Sequence, residues 1–181
     1  MELTKTTLEG CYLIQPKDIA DLRGCFVKPY QRAAFESHGL EGEFREDFFT
    51  VSKKDVLRGM HFQSPPQDQT KLVYCIHGVI LDVIVDIRKN SPTYLQFESF
   101  ELNESKRSML YLPEGIAHGF VTLSESATIG YKVSREFVPE FDAGIRWDSI
   151  GFKWPIQNPI LSEKDKNLPT LSEFKTPWGT K

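Results

Sequence analysis

Two of the four histidines stand in local company suited to proton transfer. In the segment Val56-Leu57-Arg58-Gly59-Met60-His61-Phe62-Gln63, His61 and Gln63 are two residues apart. On a strand they share a face, so an imidazole and an amide would point into one interior. Arg58 and Gln63 are an odd number apart and would not share a face. Imidazole changes charge near neutral pH and serves as general base or acid; the ordinary alternative is a hydrogen-bonded core histidine. The second histidine ends Pro113-Glu114-Gly115-Ile116-Ala117-His118, where Pro and Gly build a turn that delivers His118 to the start of a strand. Two histidines on neighbouring strands raise the question of a metal, but a metal site takes about three or four N, O or S ligands. Gln63, a poor ligand, occupies the place where a His-x-His pair would need its second imidazole, so no metal is expected. What remains is an acid–base set, to which Lys71, Tyr131, Arg23, Arg58 and Asp165 could contribute. Taken alone, the cations and Asp165 in Ser162-Glu163-Lys164-Asp165-Lys166 read as solvated surface, and Tyr131 as a half-buried strand aromatic. Residue types and spacing alone lead as far as a small-molecule site inside a metal-free β-barrel.

Such side chains need a rigid frame, and the hydropathy pattern supplies strands. Segments 10–15, 25–30, 44–52, 56–63, 72–77, 79–87, 95–102, 107–112, 118–123 and 127–133 are rich in β-branched and aromatic residues or alternate in polarity. Turn chemistry separates them: Asp21-Leu22-Arg23-Gly24, Ser64-Pro65-Pro66, Lys89-Asn90-Ser91-Pro92 and Pro113-Glu114-Gly115. That spacing predicts a sandwich or barrel and argues against a parallel α/β winding. Short helices are predicted at 32–37, closed by Gly39, and at 163–166 behind an N-capping Ser162. No repeat or linker interrupts the chain, so one domain over 1–181 is expected, with a less regular tail from about Asn158.

Composition excludes several classes. Over 181 residues, 40% are apolar and 12 are Gly, a globular balance rather than a disordered one. Lys and Arg number 22 against 25 Asp and Glu, a net charge of −3, so no basic field exists for nucleic acid. The longest apolar run, Val79 to Val85, is broken by Asp82 and is far shorter than a membrane helix requires. The first ten residues lack the pattern of a secretory signal, making the cytoplasm the expected location. Cys11, Cys25 and Cys75 are an odd number without CxxC spacing and are expected as reduced, mostly buried thiols.

Five ordered segments, VLRGMHFQ, Gln69-Thr70-Lys71-Leu72-Val73, DVIVDIR, YLPEGIAHGFVTLSE and Gly144-Ile145-Arg146-Trp147-Asp148, resemble the nucleotide-sugar 3,5-epimerases related to dTDP-4-dehydrorhamnose 3,5-epimerase. The resemblance covers nearly the whole chain. Pro113-x-Gly115-x-x-His118 is similar to the second motif of the cupins, whose first-motif His-x-His is broken here at Gln63. The resemblance implies an all-β double-stranded β-helix jelly roll, a homodimer that exchanges N-terminal strands, no cofactor, and a nucleoside diphosphate 4-keto-6-deoxy sugar as substrate. It implies a place in surface polysaccharide synthesis, as for capsule or lipopolysaccharide. A C4 ketone acidifies the hydrogens on C3 and C5, so a proton can leave one face and return on the other through an enolate. By motif position His61 resembles the base, Asp165 its supporting carboxylate, Tyr131 the acid, and Lys71 the cation at the enolate oxygen. Arg23 and Arg58 resemble diphosphate ligands. The resemblance also places Gln63, His118, Asp142 and Lys164 at the substrate.

Departures from the family pattern fall at the nucleotide end. Lys28 stands where a glutamate is usual, Glu46-Asp47-Phe48-Phe49 replaces Gln-Asp-Asn-His, and Phe137 replaces a base-stacking tyrosine. With the acid–base set intact and the base-recognition set altered, the expectation is retained chemistry on a nucleotide that need not be thymidine, a guanosine-linked 4-keto-6-deoxyheptose or hexose being the preferred alternative to the thymidine-linked hexose. A C3-only epimerase, a 3,4-ketoisomerase and a non-catalytic sugar-binding cupin are the competing functions.

Overall fold

The computed structural model describes residues 1–179; the last two residues of the expected 1–181 domain lie outside the described residues. The chain runs β1 (Glu2–Lys5), β2 (Tyr12–Gln15), β3 (Asp18–Asp21), β4 (Gly24–Val27), α1 (Arg32–Glu36), β5 (Glu46–Lys53), β6 (Leu57–Gln63), β7 (Lys71–His77), β8 (Val79–Asp86), β9 (Phe97–Asn103), β10 (Met109–Leu112), β11 (Ile116–Thr122), β12 (Ser126–Val133), β13 (Asp142–Gly144) and α2 (Glu163–Lys166). A six-stranded sheet, β1-β2-β10-β7-β12-β5, faces a five-stranded one, β13-β6-β11-β8-β9, and β3 and β4 form a separate hairpin. The pairings within both sheets are antiparallel. This is a jelly roll, the all-β class that the turn spacing predicts.

Strand alternation decides what each face touches. On β8, Ile80 and Ile84 point between the sheets, where they meet Val73, Leu110, Phe120 and Ile129. Val83 and Val85 point the other way, into a second cluster with Ile145, Ile150 and Trp154. β8 is thus buried on both faces, which is why it reads as an almost continuous apolar run. The irregular tail explains the second cluster: Leu161, Leu171, Phe174 and Trp178 cover the outer face of the five-stranded sheet. Leu72, Met109 and Tyr111 on the outer face of the six-stranded sheet are covered by Phe35 of α1. Each fully buried aliphatic or aromatic side chain contributes about 1.5–3 kcal/mol, so neither covering layer is dispensable.

One sequence expectation changes. The strand expected to begin near Gly10 is preceded by β1, which pairs with β2 over Glu2↔Gln15 to Lys5↔Tyr12 and so takes the edge position itself. Of the three thiols, Cys11 and Cys75 are buried and Cys25 is exposed on β4; all are free. Burial pushes the Cys11 thiol up to about 12 and that of Cys75 up to about 11, so both stay protonated.

One irregularity matters for function. On β11, His118 pairs with His61 and Phe120 with Arg58, so three steps along β6 match two along β11. The extra residue is a bulge, and it resets the alternation of β6. Leu57, Met60 and Phe62 face the outer cluster, whereas Arg58, His61 and Gln63 all face the space between the sheets. Gly59 makes this possible: its φ is +133°, and a Cβ there would lie 2.4 Å from the Gly119 Cα.

Candidate active site

Between the open ends of the two sheets lies a cavity of about 340 Å³. Its wall is drawn from five strands: Glu46, Phe48 and Thr50 from β5, Arg58, His61 and Gln63 from β6, Lys71 from β7, His118 and Phe120 from β11, and Tyr131 from β12. Phe137 and Asp142 stand where the chain leaves the six-stranded sheet for β13.

The centre of the site is an imidazole held by a carboxylate. His61 Nε2 lies 2.5 Å from Asp165 Oδ1. Asp165 is delivered by α2, whose Ser162 cap accepts a hydrogen bond from the Asp165 backbone N–H. Burial raises the Asp165 carboxyl, but hydrogen bonds from His61, Ser162 and the Gly59 backbone outweigh it and hold the group below its ordinary value. The carboxylate therefore stays ionised beside the ring, fixing one tautomer and stabilising an imidazolium. That leaves the Nδ1 side of the ring to exchange protons with the cavity.

A second pair lies deeper. His118 Nε2 is 2.7 Å from Asp82 Oδ2, and both side chains are buried. Burial raises the Asp82 carboxyl against the pull of His118. Sequence reasoning treated Asp82 only as a break in an apolar run. Asp82 shares the inward face of β8 with Ile80 and Ile84, a parity that a run buried on both faces does not display in the sequence.

Lys71 and Tyr131 complete the polar set. Lys71 Nζ donates to the His61 backbone carbonyl at 3.2 Å. Desolvation lowers the ammonium to about 8, with Asp142 and Asp82 opposing the shift and Lys164 adding to it. Lys164 does not line the cavity; it acts from behind, bonded to Asp142 at 2.5 Å. Tyr131 is pushed well above the ordinary phenol value, first by burial and then by the Asp82 charge, so it is a protonated donor at neutral pH. Phe48 stacks on its ring, with centroids 4.7 Å apart and planes 13° apart.

The remaining predicted residues divide. Arg58 Nε donates to Ser52 Oγ at 3.0 Å, and Arg58 has no salt bridge among the described residues, so its charge faces the cavity. Gln63 is fully engaged by backbone groups: its amide donates to the carbonyls of Gln67 and Glu136, and its oxygen accepts from Val138 N–H. Together with Glu46, which accepts from Phe137 N–H at 2.7 Å, it fixes the loop that sets Phe137 at the rim. Asp47 alternates to the outside and pairs with Lys132, away from the cavity. Arg23 and Lys28 are likewise not brought to this cavity by their own chain. Arg23 is exposed at the β3–β4 turn, bonded to Asp21, and Lys28 borders a separate groove beside Ile19, Phe26 and Phe35. Thr50 and Gln69 line the cavity without having been singled out in the sequence.

A desolvated acid–base cavity in a jelly roll, with a carboxylate-held histidine and a phenol, defines a cupin-type isomerase site. Comparison with known proteins makes this specific. The family described as dTDP-4-dehydrorhamnose 3,5-epimerase matches residues 5–173. The dTDP-4-dehydrorhamnose 3,5-epimerase of Methanothermobacter thermautotrophicus is 42% identical over 93% of this chain and 94% of its own. The crystal structure of the Elizabethkingia anophelis dTDP-4-dehydrorhamnose 3,5-epimerase superposes with a TM-score of 0.90 at 39% identity, covering 95% of this chain and 97% of that one. The Legionella pneumophila dTDP-6-deoxy-D-glucose-3,5-epimerase, solved with dTDP-4-keto-L-rhamnose, gives 0.93 at 33% identity over 99% of both chains. The chain belongs to the dTDP-4-dehydrorhamnose 3,5-epimerase family and is a nucleotide-sugar epimerase.

The lowered Lys71 value has a sign that can be checked. Between about 8 and 10.5 the unfolded chain holds the Lys71 proton and the folded chain does not, so this group makes stability rise with pH across that window. Denaturant unfolding of the wild type and Lys71→Met should show a shallower rise, or none, in the variant; coincident slopes would contradict the burial assigned to Lys71.

Proposed function

We propose that this epimerase inverts C3 and C5 of a thymidine diphosphate 4-keto-6-deoxy sugar, with His61 as base and Tyr131 as acid. The observation that supports this reading most strongly is the placement of a carboxylate-held imidazole and a protonated phenol in one desolvated cavity. The C4 ketone makes the adjacent C–H bonds acidic, and removal of a proton by His61 places negative charge on the C4 oxygen. Lys71, cationic at neutral pH, is the group suited to that charge; a preorganised donor in a dry site is worth about 3–4 kcal/mol. Tyr131 returns a proton, the carbonyl re-forms, and the carbon is inverted. Arg58 is suited to a diphosphate oxygen, and the exposed Phe137 ring at the rim to stacking on a nucleobase. The ligand of the Legionella relative, dTDP-4-keto-L-rhamnose, favours thymidine over guanosine as the base.

Arg23 and Lys28 enter this reading through a second copy of the chain. The β3–β4 hairpin exposes Ile19, Leu22 and Phe26, and the edge strand β5 exposes Phe49 and Val51. A homodimer that covers these apolar residues would end both exposures and could present Arg23 and Lys28 to the partner's cavity. The exchange of N-terminal strands expected from the sequence belongs to this proposal. Placement in the cytoplasm, in the synthesis of a surface polysaccharide, is likewise part of it; no helix among the described residues is long and apolar enough to cross a membrane.

Proton NMR of thymidine- and guanosine-linked 4-keto-6-deoxy sugars incubated with the protein tests the substrate. Inversion at both C3 and C5 of the thymidine compound is the expected result. Inversion at C3 alone makes the protein a single-site epimerase, and turnover of the guanosine compound only overturns the nucleotide assignment. Light scattering tests the assembly: the mass of two chains is expected, and a monomer of full activity would contradict it.

A further inference from the structure

Tyr131 sits directly opposite Phe48 in the β12–β5 ladder. Thr50 follows Phe48 by two residues on the same face of β5, a diagonal neighbour of Tyr131 across the ladder. Both β5 side chains line the cavity. Phe48 stacks on the phenol ring and fixes its plane, whereas Thr50 has no evident task. Its Oγ1 is buried and has no hydrogen-bond partner of normal geometry among the described residues. A buried hydroxyl left unpaired is unfavourable and calls for an explanation. The neighbouring chemistry supplies one. When Tyr131 protonates the substrate carbon, its O–H bond breaks, a C–H bond forms, and the C4 carbonyl is restored. The negative charge of the enolate then resides on the phenolate. Burial and the Asp82 charge both oppose that phenolate; the groups that favour it are Thr50 and Arg58. Arg58 is held by the Ser52 hydroxyl and the Val51 carbonyl, both of β5.

We infer that Thr50 is a positioning residue for the acid, its hydroxyl turning to donate a hydrogen bond to the Tyr131 oxygen as that oxygen gives up its proton. The inference rests on Tyr131 being the proton donor. It explains why an unpaired hydroxyl is kept at a buried position: its partner, the phenolate oxygen, exists during the reaction. It also assigns β5 a double task, with Phe48 setting the ring plane and Thr50 the charge on its oxygen.

The test measures inversion and solvent-deuterium exchange separately, with the nucleotide sugar accepted in the NMR assay, for Thr50→Val, Thr50→Ser, Tyr131→Phe and the Tyr131→Phe/Thr50→Val double variant. Loss of a hydrogen bond to a charged oxygen should slow inversion about 10- to 100-fold in Thr50→Val. Exchange initiated by His61 should change far less, so the ratio of inversion to exchange falls. Thr50→Ser should restore the ratio. In the Tyr131→Phe background Thr50→Val should have no further effect, because its partner is gone. A wild-type ratio in Thr50→Val, or an additive loss in the double variant, overturns the inference while leaving Tyr131 as the acid. Normal inversion by Tyr131→Phe alone overturns the acid assignment and the inference with it. If Thr50→Val does not fold, the Thr50→Ser ratio decides: a wild-type ratio supports the hydroxyl's role, and a loss contradicts it.

Discussion

Desolvation is the constraint on which the rest of this molecule depends. Closing two sheets over a polar lining removes water from the ionisable groups deepest between them, and a charge so placed is costly without a partner. Each inward-facing group has a distinct answer. Asp165 stays ionised because His61, Ser162 and a backbone N–H bond to it. Asp82, deeper, is raised by burial against the pull of His118 and Lys71. Lys71 keeps a proton that it holds only up to about 8, and Tyr131 keeps one that burial makes hard to remove. The same exclusion of water that shifts these groups suits them to the ketone and enolate of the proposed reaction, because electrostatic interactions strengthen as the local dielectric falls.

Two devices hold the groups at the required places. The bulge at Gly59 turns Arg58 and His61 to the same side of β6, combining a guanidinium and an imidazole that regular alternation would have separated. The C-terminal tail supplies the other. Its apolar residues cover the outer face of the sheet carrying His61, and the short helix within it returns Asp165 to His61 across 104 residues of sequence. Packing of the tail and orientation of the His61 imidazole are thus one structural event, so the irregular segment is integral to the site.

Much of this was legible in the sequence. Alternation located most of the strands, Pro and Gly marked the turns, and the two-residue spacing of His61 and Gln63 put both side chains into the interior. The Pro113-Glu114-Gly115 turn led to His118. What stayed hidden depended on tertiary context. Arg58 has the wrong parity unless the bulge is known, and a bulge leaves no mark in hydropathy beyond one glycine. Asp165 lies among Lys and Glu residues and reads as surface until α2 docks. Asp82 looks like an interruption because β8 is buried on both faces and shows no alternation to set it against. Arg23 and Lys28 face away from the cavity of their own chain, and Asp47 alternates outward to Lys132, so motif position alone could not place them. The resemblance to a known family supplied roles that spacing could not.

The central claim is that His61, held by Asp165, removes the proton from carbon beside a C4 ketone. The most direct measurement is solvent-deuterium incorporation into the nucleotide-linked 4-keto-6-deoxy sugar, read by mass spectrometry and proton NMR, for the wild type and a folded His61→Asn variant. The wild type should place deuterium at the inverted carbons, and His61→Asn, which keeps the shape of the side chain and loses the base, should incorporate none above the uncatalysed background. Exchange by His61→Asn at the wild-type rate would contradict the account.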